Sequence, residues 1–369
     1  MKSIPFLLTL LLAISALASR NAKQYSEHST PGVGDTVVPH ASLDVDAATD
    51  SMVQVVAYFN RLDTTEYYYE SGKLKIDGSD TTLVGSIGVN FRIVVLDSTD
   101  RGYRIEYCPL SVDFAGDSEK SAGFEQVLKV FSKSMVGKKI HARLSPLGEL
   151  QHIENWKELR DSYKKLTTSV IDSVYKDIPG LDSIVSRKQL EALVSTKLDS
   201  EEGIKNSFEE LSLLFTLHGT AINTQDSIVY REPNAIITPH TVIRAGVAAL
   251  EEEVDEQGET FDGDYYVTSH SVAQVPQKMI QEVLGGVLNL LNSRMDEKEI
   301  FNRMEKELKD TKLTLTNDEY YEYFVTGWPK DVITKNIIEL SGLENGKQRT
   351  ATQVRYKSLQ WTKRSWFNY

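Results

Sequence analysis

The stretch TLVGSIGVNFRIVVLD, residues 82–97, decides the fold. Leu83, Gly85, Ile87, Val89, Phe91, Ile93 and Val95 fall on one side of it, and Ser86, Gly88, Asn90 and Arg92 on the other. An apolar period of two marks a strand with one buried face, because successive side chains of a pleated strand point to opposite sides. At about 3.3 Å per residue this strand outreaches most ordinary sheets, and long strands survive by curving. Gly85 and Gly88 are the expected bends or bulges, since glycine relaxes the steric limits that keep a strand straight.

Working outward, Val53 to about Phe114 reads as long antiparallel strands. Phe124, Val127, Leu128, Phe131 and Met135 then make an apolar helical stripe over 121–135, and 138–153 returns to strand. A helix over 156–177 carries Trp156, Leu159, Tyr163, Leu166, Val170 and Val174 on one side. Ser186 with Gln189, and Asp199 with Glu202, have capping-box spacing and open helices near 187–198 and 200–217. The second half repeats the plan. Strands are expected over 227–247 and 264–274, broken by the acidic loop EEEVDEQGE at 251–259, and helices over 276–293 and 297–309. Strands at 311–316, 319–326, 330–341 and 348–362 close the chain, the last two joined by a turn signal at Asn345-Gly346. This order gives an α+β fold: a long curved antiparallel β-sheet, a half-barrel, with amphipathic helices packed on its concave face. The expected organisation is a signal peptide at 1–18, a flexible leader at 19–50 and a single domain at 51–369, with helical insertions at about 156–217 and 276–309.

The densest cluster of reactive side chains is KKIHARLSPLGELQHIENWKELRD, residues 138–161. Ile140, Ala142 and Leu144 alternate with His141 and Arg143, which places His141 on the polar face of a strand. Pro146 and Gly148 make a turn, and His152 lies on the returning strand. Asn155 with Glu158 has the spacing of a helix cap. Each residue has a structural duty, so the cluster reads as a joint rather than a reaction centre. Read as strand, glycine turn, strand and capped helix, LSPLGELQHIENWKELRD resembles a pattern in uncharacterised signal-bearing bacterial envelope proteins similar in layout to the lipoprotein carrier LolA. VTGWPKDVITKNIIEL, with Gly327 and Pro329, resembles their final hairpin region. The resemblance implies a half-barrel with helices in its mouth and a hydrophobic or lipid-like ligand between them. It carries over no site residue, and this chain is longer than simple carriers of that kind by the helical block at 181–217.

Other chemistries lack their signatures. The seven histidines show no His-Glu-x-x-His pairing. No Gly-x-Ser-x-Gly elbow is present, no Walker lysine follows the glycines at 32–37 or 85–90, and DVDAATD at 44–50 lacks the central Gly and closing Glu of a calcium loop. A hydrolase triad built from distant residues is recognised by geometry alone and stays open at this stage. Neither a metal nor a cofactor is expected, and no catalytic residue is named. The tyrosines of TEYYYE at 65–70 and DEYYEYF at 318–324 fall on both faces of their strands, where cross-strand packing accounts for them; a lipid- or sugar-contacting surface is the alternative.

Lys2 followed by an apolar run to Ala18 has the build of a secretory signal and is shorter than the roughly 20 residues that span a bilayer. The expected address is periplasmic or extracellular, soluble, without a lipid anchor, since the single cysteine, Cys108, lies inside a strand, where it is a packing residue. A net charge of −12 argues against nucleic acid as partner. The expected function is therefore an exported non-enzymatic binding protein. Leu83, Ile87, Val89 and Phe91 of the sheet and Phe124, Leu128 and Phe131 of the facing helix are the candidate lining of an apolar cavity. An envelope scaffold without a cavity, using edge strands or tyrosines to hold a partner, and an extracytoplasmic hydrolase are the alternatives.

Overall fold

The computed structural model describes residues 52–77, 79–116, 132–177, 186–188, 191, 199–223, 228–230, 239–247, 264–277, 312–341 and 348–362. The expected signal, leader, acidic loop, Asn345-Gly346 turn, 278–293 of one later helix and all of 297–309 lie outside these residues, as do 121–131 of the first helix and most of the helix near 187–198. The fold is α+β, built on an open, curved, 11-stranded antiparallel sheet. Its long strands are β2 (Thr64–Asp77), β3 (Asp80–Thr99), β4 (Gly102–Gly116), β10 (Tyr265–Val275), β11 (Lys312–Tyr323), β12 (Pro329–Ser341) and β13 (Gln348–Thr362). Shorter strands complete it: β5 (Ile140–Leu144), β6 (Leu150–Ile153), β8 (Ile228–Tyr230) and β9 (His240–Val247). The spatial order is β6-β5-β4-β3-β2-β13-β12-β11-β10-β9-β8. Two meanders, one from each half of the chain, thus meet at a single seam where the last strand pairs with the first long one, Tyr356 opposite Tyr69. Among the described residues no helix is long and apolar enough to cross a membrane.

The decisive strand is longer than its alternation, and of its own two extra residues one, Val84, lies beside a glycine and the other, Leu96, does not. The register of β2 on β3 slips where Leu74 faces Leu83 while Lys73 faces Gly85, so Val84 is an extra residue next to Gly85. At Gly88 the register is regular, and the glycine answers a different need: a Cβ there would sit 2.7 Å from the Tyr68 hydroxyl, whose ring lies across it. Gly246 stands in the same relation to Tyr266. Tyrosines covering glycines on the outer face restore the contact that the missing side chains give up.

The inner face is filled at one end. Phe91 lies between Tyr67 and Tyr107, with ring centroids 5.6 Å and 5.0 Å away. Helices α1 (Trp156–Asp177), α2 (Glu201–Asn206) and α3 (Glu209–Leu214) close over this end. Tyr163 of α1 meets Phe208, and Phe208 meets Tyr107. The expected single helix at 200–217 is broken, because the backbone leaves the helical region at Phe208, φ −106° and ψ 65°, between α2 and α3. Its cap is Ser200, which accepts from the Gly203 amide; Asp199 binds Lys164 instead. Asn155 likewise does not cap α1 with its side chain: Oδ1 accepts from the His141 amide and Nδ2 donates to the Lys139 carbonyl, which ties the helix start to the start of β5.

Residues 55–63, expected as strand, are the second departure. Only β1 (Met52–Gln54) is extended, and it pairs with β7 (Ala221–Asn223) in a separate two-stranded sheet. The chain then crosses the end of the large sheet as a plug: the Ala57 amide donates to Leu147, that of Tyr58 to Thr326, and that of Val55 to Thr220. Phe59 stacks on Trp328 at 3.9 Å, and Phe215 and His218 close the cluster. Gly327 turns beside it at φ +79°, where a Cβ would meet the Val56 carbonyl oxygen at 2.1 Å.

Candidate functional site

Because side chains two residues apart share a face, the strand register sorts the inner face into rows. The first row is aromatic and apolar: Tyr69, Tyr356, Val332, Tyr321, Val267 and Ala245 stand opposite one another across six strands and are all buried. One pleat further from the plug, Ser71, Val354, Thr334, Glu319, Ser269 and Ile243 follow. The third row is polar throughout: Lys73, Thr352, Asn336, Asn317, Ser271 and Thr241. Beyond it the face turns apolar again with Ile338, Leu315 and Ala273, then Leu340, Leu313 and Val275. On β3 and β4 the first level is occupied by Val89 and Val112, the second by Ile87 and Phe114, and the third, beside Lys73, by Gly85 and Gly116. A polar floor on β2 and β9–β13 therefore adjoins an apolar wall on β3 and β4.

The floor is buried at Glu319 and Thr334 and half-buried along the row of Lys73, Thr352, Asn336, Asn317, Ser271 and Thr241. Glu319 is 6% exposed and Thr334 3%. Asn317 Nδ2 donates to Glu319 Oε1 at 2.8 Å, and Thr241 Oγ1 to Ser271 Oγ at 2.9 Å. Asn317 Oδ1 is buried and has no hydrogen-bond donor among the described residues. Among the described inner-face residues of β9–β12, Glu319 is the one that carries a charge.

The sequence-predicted lining divides. Phe91 and Val89 belong to the packed end, at 0% and 6% exposure, while Ile87 sits at its margin, where the wall begins. Leu83 does not join them. The extra residue at Val84 reverses its side, and it lies 49% exposed on the outer face with Cδ1 at 3.1 Å from the position a Cβ on Gly72 would take. Phe124, Leu128 and Phe131 lie outside the described residues. The polar floor was missed by sequence reasoning, although its signal is present: the inner-facing positions of β10, β11 and β12 each run apolar, polar, polar, apolar.

The reactive-looking clusters resolve into joints. His141 faces Glu106 at 3.6 Å on the outer surface, and His152 faces Glu201 at 3.1 Å. Glu154 lies between Arg104 and Arg143, each at 2.6 Å. Partial burial pushes its carboxyl up, and the hydrogen bonds from the two guanidinium groups outweigh this and hold it below the usual range. The Tyr107 hydroxyl donates to Glu210 at 2.5 Å, and burial, then the charge of Glu210, keep that phenol well above its ordinary value and therefore protonated. His218 is buried among Phe59, Phe215 and Tyr323, with Nε2–H donating to the Gly327 carbonyl at 3.0 Å. Burial lowers its pKa to about 4, so it is neutral near pH 7. Among the described residues no group of three His, Cys, Asp or Glu side chains is placed to hold a metal ion. Cys108 is free and buried in β4.

No known family matches the chain, and no curated protein does. Among solved structures it is similar to a chain described under "Lipid-protein interactions in lipovitellin", at 9% identity and a TM-score of 0.36, covering 84% of this chain and 26% of that one. It thus spans about a quarter of that chain's length. A second likeness is to DynF from the dynemicin biosynthesis pathway of Micromonospora chersina, at 9% identity and a TM-score of 0.18, covering 91% of this chain and 94% of that one. Neither likeness identifies an activity.

Proposed function

We propose that the chain is an exported, non-enzymatic binding protein that holds an amphipathic, lipid-like ligand against the inner face of its sheet, beyond the aromatic row. The observation that carries this reading is the division of that face: an apolar wall of Ile87, Val112 and Phe114 beside a polar floor on β2 and β9–β13 that is buried at Glu319 and Thr334 and half-buried along its third row. A protein that only needed to bury its sheet would gain most from apolar residues there, since each buried polar group must find a partner to avoid a penalty. The resemblance to LolA-like envelope carriers agrees with the arrangement. Export rests on the signal-like first eighteen residues.

Titration with the aliphatic-site fluorophore N-phenyl-1-naphthylamine tests the reading. Saturable enhancement at one site per chain, displaced by dodecyl-chain amphiphiles, is expected. Ile87→Ser should weaken it roughly 10- to 30-fold, the loss of about 2 kcal/mol of apolar burial. Absence of saturable enhancement in the folded protein contradicts the proposal.

A further inference from the structure

The polar row specifies the head of the ligand, an inference that rests on the function proposed above. Lys73, Thr352, Asn336, Asn317, Ser271 and Thr241 come one from each of six consecutive strands and lie in unbroken register. At about 4.8 Å between strands the row is roughly 24 Å long, much longer than one carboxylate or phosphate group. Its middle consists of hydroxyls and amides, each able to donate and accept. Among the described residues the buried Asn317 Oδ1 has no donor, and Asn317 Nδ2 is held by Glu319 one pleat away. The charge balance also matters. The one cation of the row, Lys73, stands at its β2 end, three strands or roughly 14 Å from Asn317, whereas Glu319 lies at the centre and would repel an anion there.

We propose that the polar row is a recognition site for a hydroxyl-rich head group, a sugar or other polyol, on a lipid whose chain lies along the wall of β3 and β4. Such a head donates a hydrogen bond to Asn317 Oδ1 and both donates to and accepts from Ser271, Asn336 and Thr352, and brings no charge of its own to bury. Water can satisfy the same row without a ligand, and a test must separate the two.

Three amphiphiles with the same dodecyl chain make that test, each below its micelle concentration by calorimetry on the full chain: dodecyl maltoside, dodecanoate and dodecyltrimethylammonium. The proposal expects dodecyl maltoside to bind at least 10-fold more tightly than either ion. It also expects the double substitution Asn317→Leu, Asn336→Leu to remove that preference while leaving N-phenyl-1-naphthylamine binding within about 3-fold. Equal binding of all three, or a preference for dodecanoate, overturns the head-group assignment and leaves chain binding standing. A maltoside preference that survives the double substitution overturns the placement on this row. Failure of all three and of the fluorophore removes both this inference and the function it rests on. Ser271→Ala with Thr352→Ala is the second variant should the leucines prevent folding, with the same loss of preference expected.

Discussion

At the scale of single residues, His218 and Gly327 hold the plugged end together, and each makes a measurable demand. The buried imidazole has a pKa near 4 against about 6.5 for an exposed histidine. The unfolded chain therefore binds the proton more readily, and stability falls as pH drops from about 6.5 towards 4, by up to the order of 3 kcal/mol for this group. His218→Gln keeps an amide donor for the Gly327 carbonyl and does not titrate. Urea unfolding at pH 7 and pH 4.5 should show the parent losing more stability on acidification than the variant; equal losses would mean that the imidazole is not held neutral. Gly327→Ala places a methyl group 2.1 Å from the Val56 carbonyl oxygen at a positive φ. It should cost at least about 2 kcal/mol in the same assay, as expected of strain at a special backbone position. The plug itself was not legible in the sequence. Residues 55–59 alternate Val55, Ala57 and Phe59 as a strand would, and what distinguishes them is the set of partners, Leu147, Thr220 and Thr326, all remote along the chain.

At the scale of elements, periodicity served well wherever the period was uninterrupted. The helix expected at 156–177 is α1, Trp156–Asp177, and the strand expected at 348–362 is β13, Gln348–Thr362. Periodicity failed at bulges, because an inserted residue reverses every following side chain without altering composition. Leu83 is the case that matters. Lying exposed on the outer face, Leu83→Ser should change stability by less than about 0.5 kcal/mol and leave fluorophore binding unaltered, in contrast to Ile87→Ser. The capping motifs failed for another reason: a spacing names residues able to cap but not the competitors for them. Asn155 is engaged by β5 through the His141 amide and the Lys139 carbonyl. Asn155→Ala should therefore cost about 1–2 kcal/mol and speed hydrogen exchange at the His141 amide rather than in the first turn of α1. The reverse pattern would restore the capping role.

At the scale of the whole molecule, the sheet is two meanders that meet where β13 pairs with β2, so the first and last long strands complete the fold together. A chain ending at Lys347 lacks β13 and leaves facing edges on β2 and β12; loss of cooperative unfolding is expected, and a cooperative transition would show that the halves fold apart. The antiparallel class was readable because alternation recurs in strand after strand. The polar floor was written just as regularly, in Val332-Thr334-Asn336-Ile338 and in its counterparts on β10 and β11. Only the register, fixed by pairing between distant segments, shows that these short interruptions align into one row.

Native mass spectrometry of the protein purified gently from its own source bears most directly on the claim that this face holds a ligand. A lipid-sized adduct, released by organic solvent and replaced by dodecyl maltoside, is the predicted result. A clean apo mass, together with no uptake of any member of the dodecyl series, would contradict the claim.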